Sequence, residues 1–238
     1  MKSLVGRLAA ALLGGGVMML ALPAAALAQN GQAGLHLLAG IPQGEFADNV
    51  DQPGWGLSGQ IGYAPQTNPY FVGLEVGYLV YGDKSRFVPF SSTIPDVIVE
   101  VNTTNNILTA HALLRLQSNV GTLRPYGEGV FGLNYLFTRT TIRNSDFFTA
   151  EVAGTTNQDD VALSYGGGGG VMLRVHESSK LGRTREVLLD LRLRYLVGGE
   201  ADYLNEASLR REDGGIGYAV KRSKTDLFTI QVGAVFRF

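Results

Sequence analysis

Three histidines, a run of glycines and a set of charges in mid-segment are the residues of this 238-residue chain whose types could do chemistry. His176 is followed by Glu177, Ser178 and Ser179, the residue types of a base, a carboxylate and a nucleophile. Neighbours in an extended segment point to opposite sides, so this cluster builds no base–nucleophile contact by itself. Gly166 to Gly170 invites a phosphate-loop reading, but such a loop continues through Lys and Ser or Thr into a helix, whereas Val171-Met172-Leu173 follows here in strand rhythm. The acids Asp48, Asp51, Asp159 and Asp160 match no metal-ligand spacing. No cofactor motif is left. What remains is charge: Glu75, His111, Arg115, Glu128, Arg174, Asp190, Arg192, Arg194 and Arg237, with His36, Asn134 and Gln231, all placed inside otherwise apolar segments. Desolvated charges need partners, and counting level along the segments sets Arg115 near Glu128, Arg174 near Asp190 and Glu75 near His111. The chemistry is that of a buried ion-pair network, or alternatively of a proton or ion path.

The elements that must position these groups are strands. From residue 227 to 238, Phe228, Ile230, Val232, Ala234, Phe236 and Phe238 lie on one face and Thr229, Gln231, Gly233 and Arg237 on the other. Eight such segments are predicted, at 32–41, 54–64, 70–82, 104–117, 124–138, 161–176, 186–198 and 226–238. In the seventh, Leu189, Leu191, Leu193, Tyr195 and Val197 oppose Asp190, Arg192 and Arg194. Short links at 65–69, 118–123 and 177–185 alternate with long ones at 42–53, 83–103, 139–160 and 199–225. That alternation, with an even strand number, fits a transmembrane barrel with short periplasmic turns and long extracellular loops. The long segments 83–103 and 199–225 could extend the strands as hairpins and offer an edge to a protein partner.

Facing lipid, the periodicity places Leu35, Leu37, Leu57, Ile61, Val72, Leu74, Val76, Leu108, Leu114, Leu116, Phe131, Leu133, Val171, Leu173, Leu189, Leu191, Leu193, Ile230, Val232 and Phe236, without one charge among them. A cation at mid-depth on that face would cost about 2–4 kcal/mol. Aromatics gather at its edges: Tyr63, Tyr70 and Phe238 at one end, and Trp55, Tyr78, Tyr135, Phe137, Tyr195 and Phe228 at the other. The charged face points into a lumen that an eight-stranded barrel fills with its own side chains. A soluble lipocalin-like barrel would turn its apolar face inward and its polar face to water, which suits the glycines and mid-strand charges less well.

Lys2 and Arg7, the apolar stretch from Leu8 to Leu22, and Ala26-Leu27-Ala28 have the form of a cleaved secretory signal over residues 1–28, leaving one barrel domain over 29–238. Cleavage removes two of the 20 cationic side chains and none of the 21 acidic ones. A slightly acidic chain of this kind has no basic stripe for nucleic acid, and the absence of cysteine excludes a disulfide framework.

Several motifs carry a family resemblance. Gly40-Ile41-Pro42-Gln43-Gly44-Glu45-Phe46 with Gly54-Trp55-Gly56 and Gly62-Tyr63, then Arg124-Pro125-Tyr126-Gly127-Glu128-Gly129, and Arg194-Tyr195-Leu196-Val197-Gly198-Gly199, resemble the opening hairpin and the fifth and seventh strands of small bacterial outer-membrane β-barrels of the OmpA transmembrane-domain and OmpX kind. The resemblance implies an all-β, eight-stranded antiparallel up-and-down barrel in the outer membrane. It implies contact with lipid and lipopolysaccharide, and recognition by the barrel assembly machinery of Ile230, Val232, Phe236 and Phe238 as a closing-strand signal. The role expected is structural or interaction-based, through the extracellular loops. A narrow channel for ions or small apolar solutes is the alternative. A lipid A-modifying enzyme is a second one, since some members of the class use a His and a Ser beside a carboxylate.

Overall fold

The computed structural model describes residues 30–50, 52–91, 94–144, 153–180, 183–212 and 215–238. The expected signal segment lies outside them. Among the described residues, alternation of apolar and polar side chains produces ten strands: β1 Gly31–Pro42, β2 Gly54–Tyr63, β3 Tyr70–Ser91, β4 Ile94–Gln117, β5 Leu123–Asn144, β6 Ala153–Lys180, β7 Arg183–Gly198, β8 Glu200–Glu212, β9 Gly215–Lys224 and β10 Leu227–Arg237. Eight close an antiparallel barrel in the order β1-β10-β7-β6-β5-β4-β3-β2, while β8 and β9 form a separate two-stranded hairpin. The seam between β1 and β10 runs from Gln32↔Arg237 to Pro42↔Leu227. Two further backbone bonds join Gly31 and Phe238, at 2.9 and 3.0 Å, so the first strand begins and the last one ends at one rim, here the terminal end.

The outward face is apolar as the periodicity requires: Leu37, Leu57, Val76, Leu114, Phe131, Leu191, Val232 and Phe236 are all exposed. The register aligns such residues across strands, as in Leu37↔Leu57, Leu37↔Val232 and Val232↔Leu191, into a continuous belt. Among the described residues no helix is long and apolar enough to cross a membrane.

Two features depart from the sequence expectation. First, strands continue well past the belt: β3 and β4 pair as far as Ser91↔Ile94, and β5 and β6 as far as Ile142↔Ala153. Most of 83–103 and much of 139–160 are therefore strand. The expected link at 177–185 is likewise hairpin, with β6 reaching Lys180 and β7 starting at Arg183. Apolar content sets the predicted boundaries, but β-branched residues such as Thr103, Thr104, Thr138 and Thr141 favour extended backbone at and beyond them. Second, the interior is not polar throughout. On β6, β7 and β10 the buried Met172, Leu188 and Val235 separate the central charges from Arg124, Glu186 and Arg237. Toward the loop end, Leu38, Leu79, Tyr81, Ile107, Leu136, Leu196 and Leu227 form a second apolar layer.

Candidate functional site

The centre of the barrel is a desolvated ion-pair cluster. Its inward row on β7 supplies Asp190, Arg192 and Arg194, at alternate positions as strand geometry demands. Arg192 Nη1 donates to Glu75 Oε2 at 2.5 Å and to Gln231 Oε1 at 2.9 Å, while Nη2 reaches Gln60 Oε1 and Asp190 Oδ2, each at 2.9 Å. Arg194 Nη1 donates to Glu75 Oε1 at 2.7 Å and Nη2 to Glu128 Oε1 at 2.6 Å. Arg115 Nε donates to Glu128 Oε2 at 2.8 Å, and its guanidinium lies 4.2 Å from the Tyr126 ring centroid. His36 Nε2 stands 2.9 Å from Asp190 Oδ2. Three guanidiniums thus face three carboxylates, and each carboxylate takes at least two partners. That multiplicity offsets the desolvation that would make an isolated buried pair unfavourable.

A second cluster occupies the terminal mouth. Arg124 grips Glu186 through two bonds of 2.8 and 2.6 Å. Arg174 Nη1 lies 2.5 Å from Glu177 and 3.3 Å from Glu186, and Arg237 lies 3.5 Å from Glu186. This corrects the expected Arg174–Asp190 pair: the register opposes Asp190 to Met172 and Arg174 to Leu188, so an apolar side chain comes between. Arg115 and Glu128 do meet. Glu75 and His111 are directly opposed across β3 and β4, yet the Glu75 carboxylate turns to the two arginines and His111 Nε2 to Ser164 Oγ at 3.0 Å.

That His111–Ser164 contact is the one place where the described histidines meet a hydroxyl. Both residues are buried in the lumen, and His111 Nδ1 has no partner, so the carboxylate that would orient a base is missing. His176 is exposed, and its neighbour Glu177 is engaged by Arg174. Among the described residues no group of His, Asp or Glu is placed to hold a metal ion.

Two uncharged members of the interior escape a search for charges. Tyr126 donates to Asp190 Oδ1 at 2.7 Å and accepts from Arg192 Nε at 3.1 Å. Gln60 accepts from both Arg115 and Arg192. Gly170 faces the Tyr126 ring: a Cβ there would meet the Leu191 carbonyl oxygen and lie 2.5 Å from the phenol oxygen. Inward parity in β2 and β5 is the available signal for both residues.

The loop end carries a cap. Phe46, in a 3-10 turn over Gly44–Phe46, is fully buried edge-on against Tyr81 and Tyr203, with ring centroids 5.4 Å away in both cases. Tyr203 belongs to β8, so this contact ties the β8–β9 hairpin over the barrel. The backbone N–H of Lys224 donates to Glu45 Oε2 at 3.2 Å, and that of Asp202 to Asp160 Oδ2 at 2.8 Å. Burial pushes the Tyr203 phenol above its ordinary value, opposed in part by its 2.7 Å hydrogen bond with Ser223 Oγ.

A family model described as the outer membrane protein beta-barrel domain matches residues 15–238. Among solved structures, Neisserial surface protein A is similar at 12% identity and a TM-score of 0.36, over 87% of this chain and 94% of that one. Ail, the attachment invasion locus protein of Yersinia pestis, is similar at 13% identity and a TM-score of 0.34, over 88% and 97%. A major outer membrane protein from Thermus thermophilus is similar at 11% identity and a TM-score of 0.35, over 87% and 99%. Comparison with curated proteins gave no match.

Proposed function

Because the chain belongs to the outer membrane protein beta-barrel domain family, we propose that it is an integral outer-membrane barrel whose lumen is closed by its own side chains and whose work is done by its loops. It is exported by a cleaved signal over residues 1–28 and recognised for insertion through Ile230, Val232, Phe236 and Phe238. Its termini lie in the periplasm. Its loop end stands outside the cell, where the extended β3–β6 strands and the β8–β9 hairpin meet an envelope or external partner, in a medium of lipid and lipopolysaccharide.

The observation that carries the closed lumen is the span of the central cluster. β3 and β7 stand opposite each other, four strands apart in either direction round the barrel, and Glu75 on one bonds Arg192 and Arg194 on the other. A chain of charge-assisted bonds across the whole diameter, with buried apolar side chains on β6, β7 and β10 toward the terminal end and a further apolar cluster toward the loops, supports a lumen without an open aqueous path. Reconstitution in planar bilayers tests it: no sustained large open state is expected, and a stable one overturns the closed barrel in favour of a channel. Lipid A mass spectrometry from cells with and without the protein is expected to be identical, and a difference in acylation or phosphorylation would instead mark an enzyme.

A further inference from the structure

The three turns at the terminal end are not alike. Residues 64–69 and 118–122 carry no charge, whereas 176–186 holds His176, Glu177, Lys180, Arg183, Arg185 and Glu186. This third connection is also far longer than closure needs. β6 continues seven residues past Leu173, the last that β5 pairs, and β7 starts three residues before Glu186, the last that β10 pairs. At about 3.3 Å per residue the hairpin overhangs the rim by roughly 10–20 Å.

A register irregularity between Arg174 and His176 sorts its charges by face. Beyond it, Glu177 pairs with Glu186 in the inward row, where Arg174, Arg124 and Arg237 neutralise them. His176 pairs with Val187 and Ser178 with Arg185, in the outward row that descends through Leu193, Leu191 and Leu189. His176 and Arg185 are exposed and make no ion pair among the described residues. The register pairs Lys180 with Arg183 at the tip. The lipid-facing row of β7 therefore runs from aliphatic side chains straight into a cation, flanked by exposed Val175 and Phe236. The other two turns end their outward rows differently, on exposed Tyr70, Leu116, Val120 and Leu123.

We infer that this face binds the headgroup of an anionic phospholipid in the leaflet at the terminal end, which is the periplasmic leaflet on the reading proposed above, on which this inference rests. Acyl chains lie along Leu173, Val175, Leu189 and Phe236, and the phosphodiester meets Arg185 and His176 at the hydrocarbon boundary, with the positive charge of Lys180 and Arg183 in the hairpin beyond it. Continuity of the apolar row with the cations favours a lipid over a soluble anion, which would use the cations alone.

Native mass spectrometry of the full chain, released from detergent with phosphatidylglycerol or with phosphatidylcholine of the same acyl chains, tests this. Wild type is expected to retain phosphatidylglycerol preferentially. Retention should fall about fivefold for each cation lost in the series Arg185→Gln, then Arg185→Gln with Arg183→Gln, then with Lys180→Gln added. Equal retention of the two lipids by wild type, or an undiminished preference in the triple variant, overturns the inference. So does displacement of phosphatidylglycerol by inorganic phosphate at equal concentration. If the triple variant fails to fold, the salt dependence of wild-type binding decides, since a preference indifferent to ionic strength is not electrostatic. The unboiled gel-mobility shift of wild type reports separately on the membrane barrel itself: its absence would count against that reading, whatever the lipid result.

Discussion

Arg192 Nη1 lies 2.5 Å from Glu75 Oε2 although 117 residues and the full width of the barrel separate them. The contact is a strut between opposite walls, and the neighbouring bond from Arg194 Nη1 to Glu75 Oε1, at 2.7 Å, doubles it.

Glu75→Gln tests that strut. The amide keeps the shape but leaves Arg192 and Arg194 short of one negative charge, and loss of a partner in a buried pair costs about 3–5 kcal/mol. Urea unfolding in detergent micelles, followed by loss of the gel-mobility shift, should report a destabilisation of that size. A change below about 1 kcal/mol, the range of an exposed pair, would show that the cluster is hydrated.

Gly170→Ala puts a methyl group against both the Leu191 carbonyl oxygen and the Tyr126 hydroxyl. Overpacking of this kind costs about 1–3 kcal/mol. Gly127→Ala, whose nearest neighbour would be Gly168 O at 3.9 Å, is the matched control and should unfold like wild type. Equal midpoints for the two variants would contradict the tight fit.

Phe46→Ala removes the wedge between Tyr81 and Tyr203. Emptying a fully buried aromatic site costs about 3–5 kcal/mol, but here the loss falls on the cap and not on the barrel. Limited trypsinolysis should cut faster in the β8–β9 hairpin, at Arg210, Arg211 or Lys221, while the barrel's unfolding midpoint stays unchanged.

The same cap should respond to alkali. The Tyr203 phenol is raised above its ordinary value of 10.0 because burial favours the neutral form. Its contribution is therefore intact below pH 10.0 and lost as pH rises through the folded value. Hairpin cleavage should accelerate across that window in wild type, and Tyr203→Phe, which has no proton to lose, should show a flatter profile.

Phe238→Ala separates insertion from stability. The amount of heat-modifiable protein in the outer membrane should fall severalfold, while purified variant refolded into micelles unfolds close to wild type. Normal insertion would remove the terminal aromatic from the assembly signal.

What is legible in the sequence and what is hidden divide along a physical line. Parity is local, so the outward Leu189, Leu191 and Leu193 and the inward Asp190, Arg192 and Arg194 can be assigned from β7 alone. Partner choice inside the barrel is not local. It depends on strand order and stagger, so Arg115–Glu128 on adjacent strands is predictable, whereas Glu75–Arg192 across the lumen is not. The expected partner of Arg174 fails even though β6 and β7 are adjacent, because their register, irregular beside Arg174, sets Asp190 opposite Met172. Phe46 lies in a turn without periodicity, and nothing in its neighbours' sequence announces that two tyrosines from β3 and β8 enclose it.

The order in which the central charges occur along the chain has a bearing on biogenesis. Glu75, Arg115 and Glu128 come early and sum to one excess negative charge, while Asp190, Arg192 and Arg194 come late and sum to one excess positive charge. A sheet built only through β5 would hold an unbalanced carboxylate, and one built only from β6 onward an unbalanced guanidinium. Each half is the other's counterion. Neutrality is reached only when the second half curls round to face the first, so the barrel's electrostatics favour one concerted closure over strand-by-strand commitment to lipid.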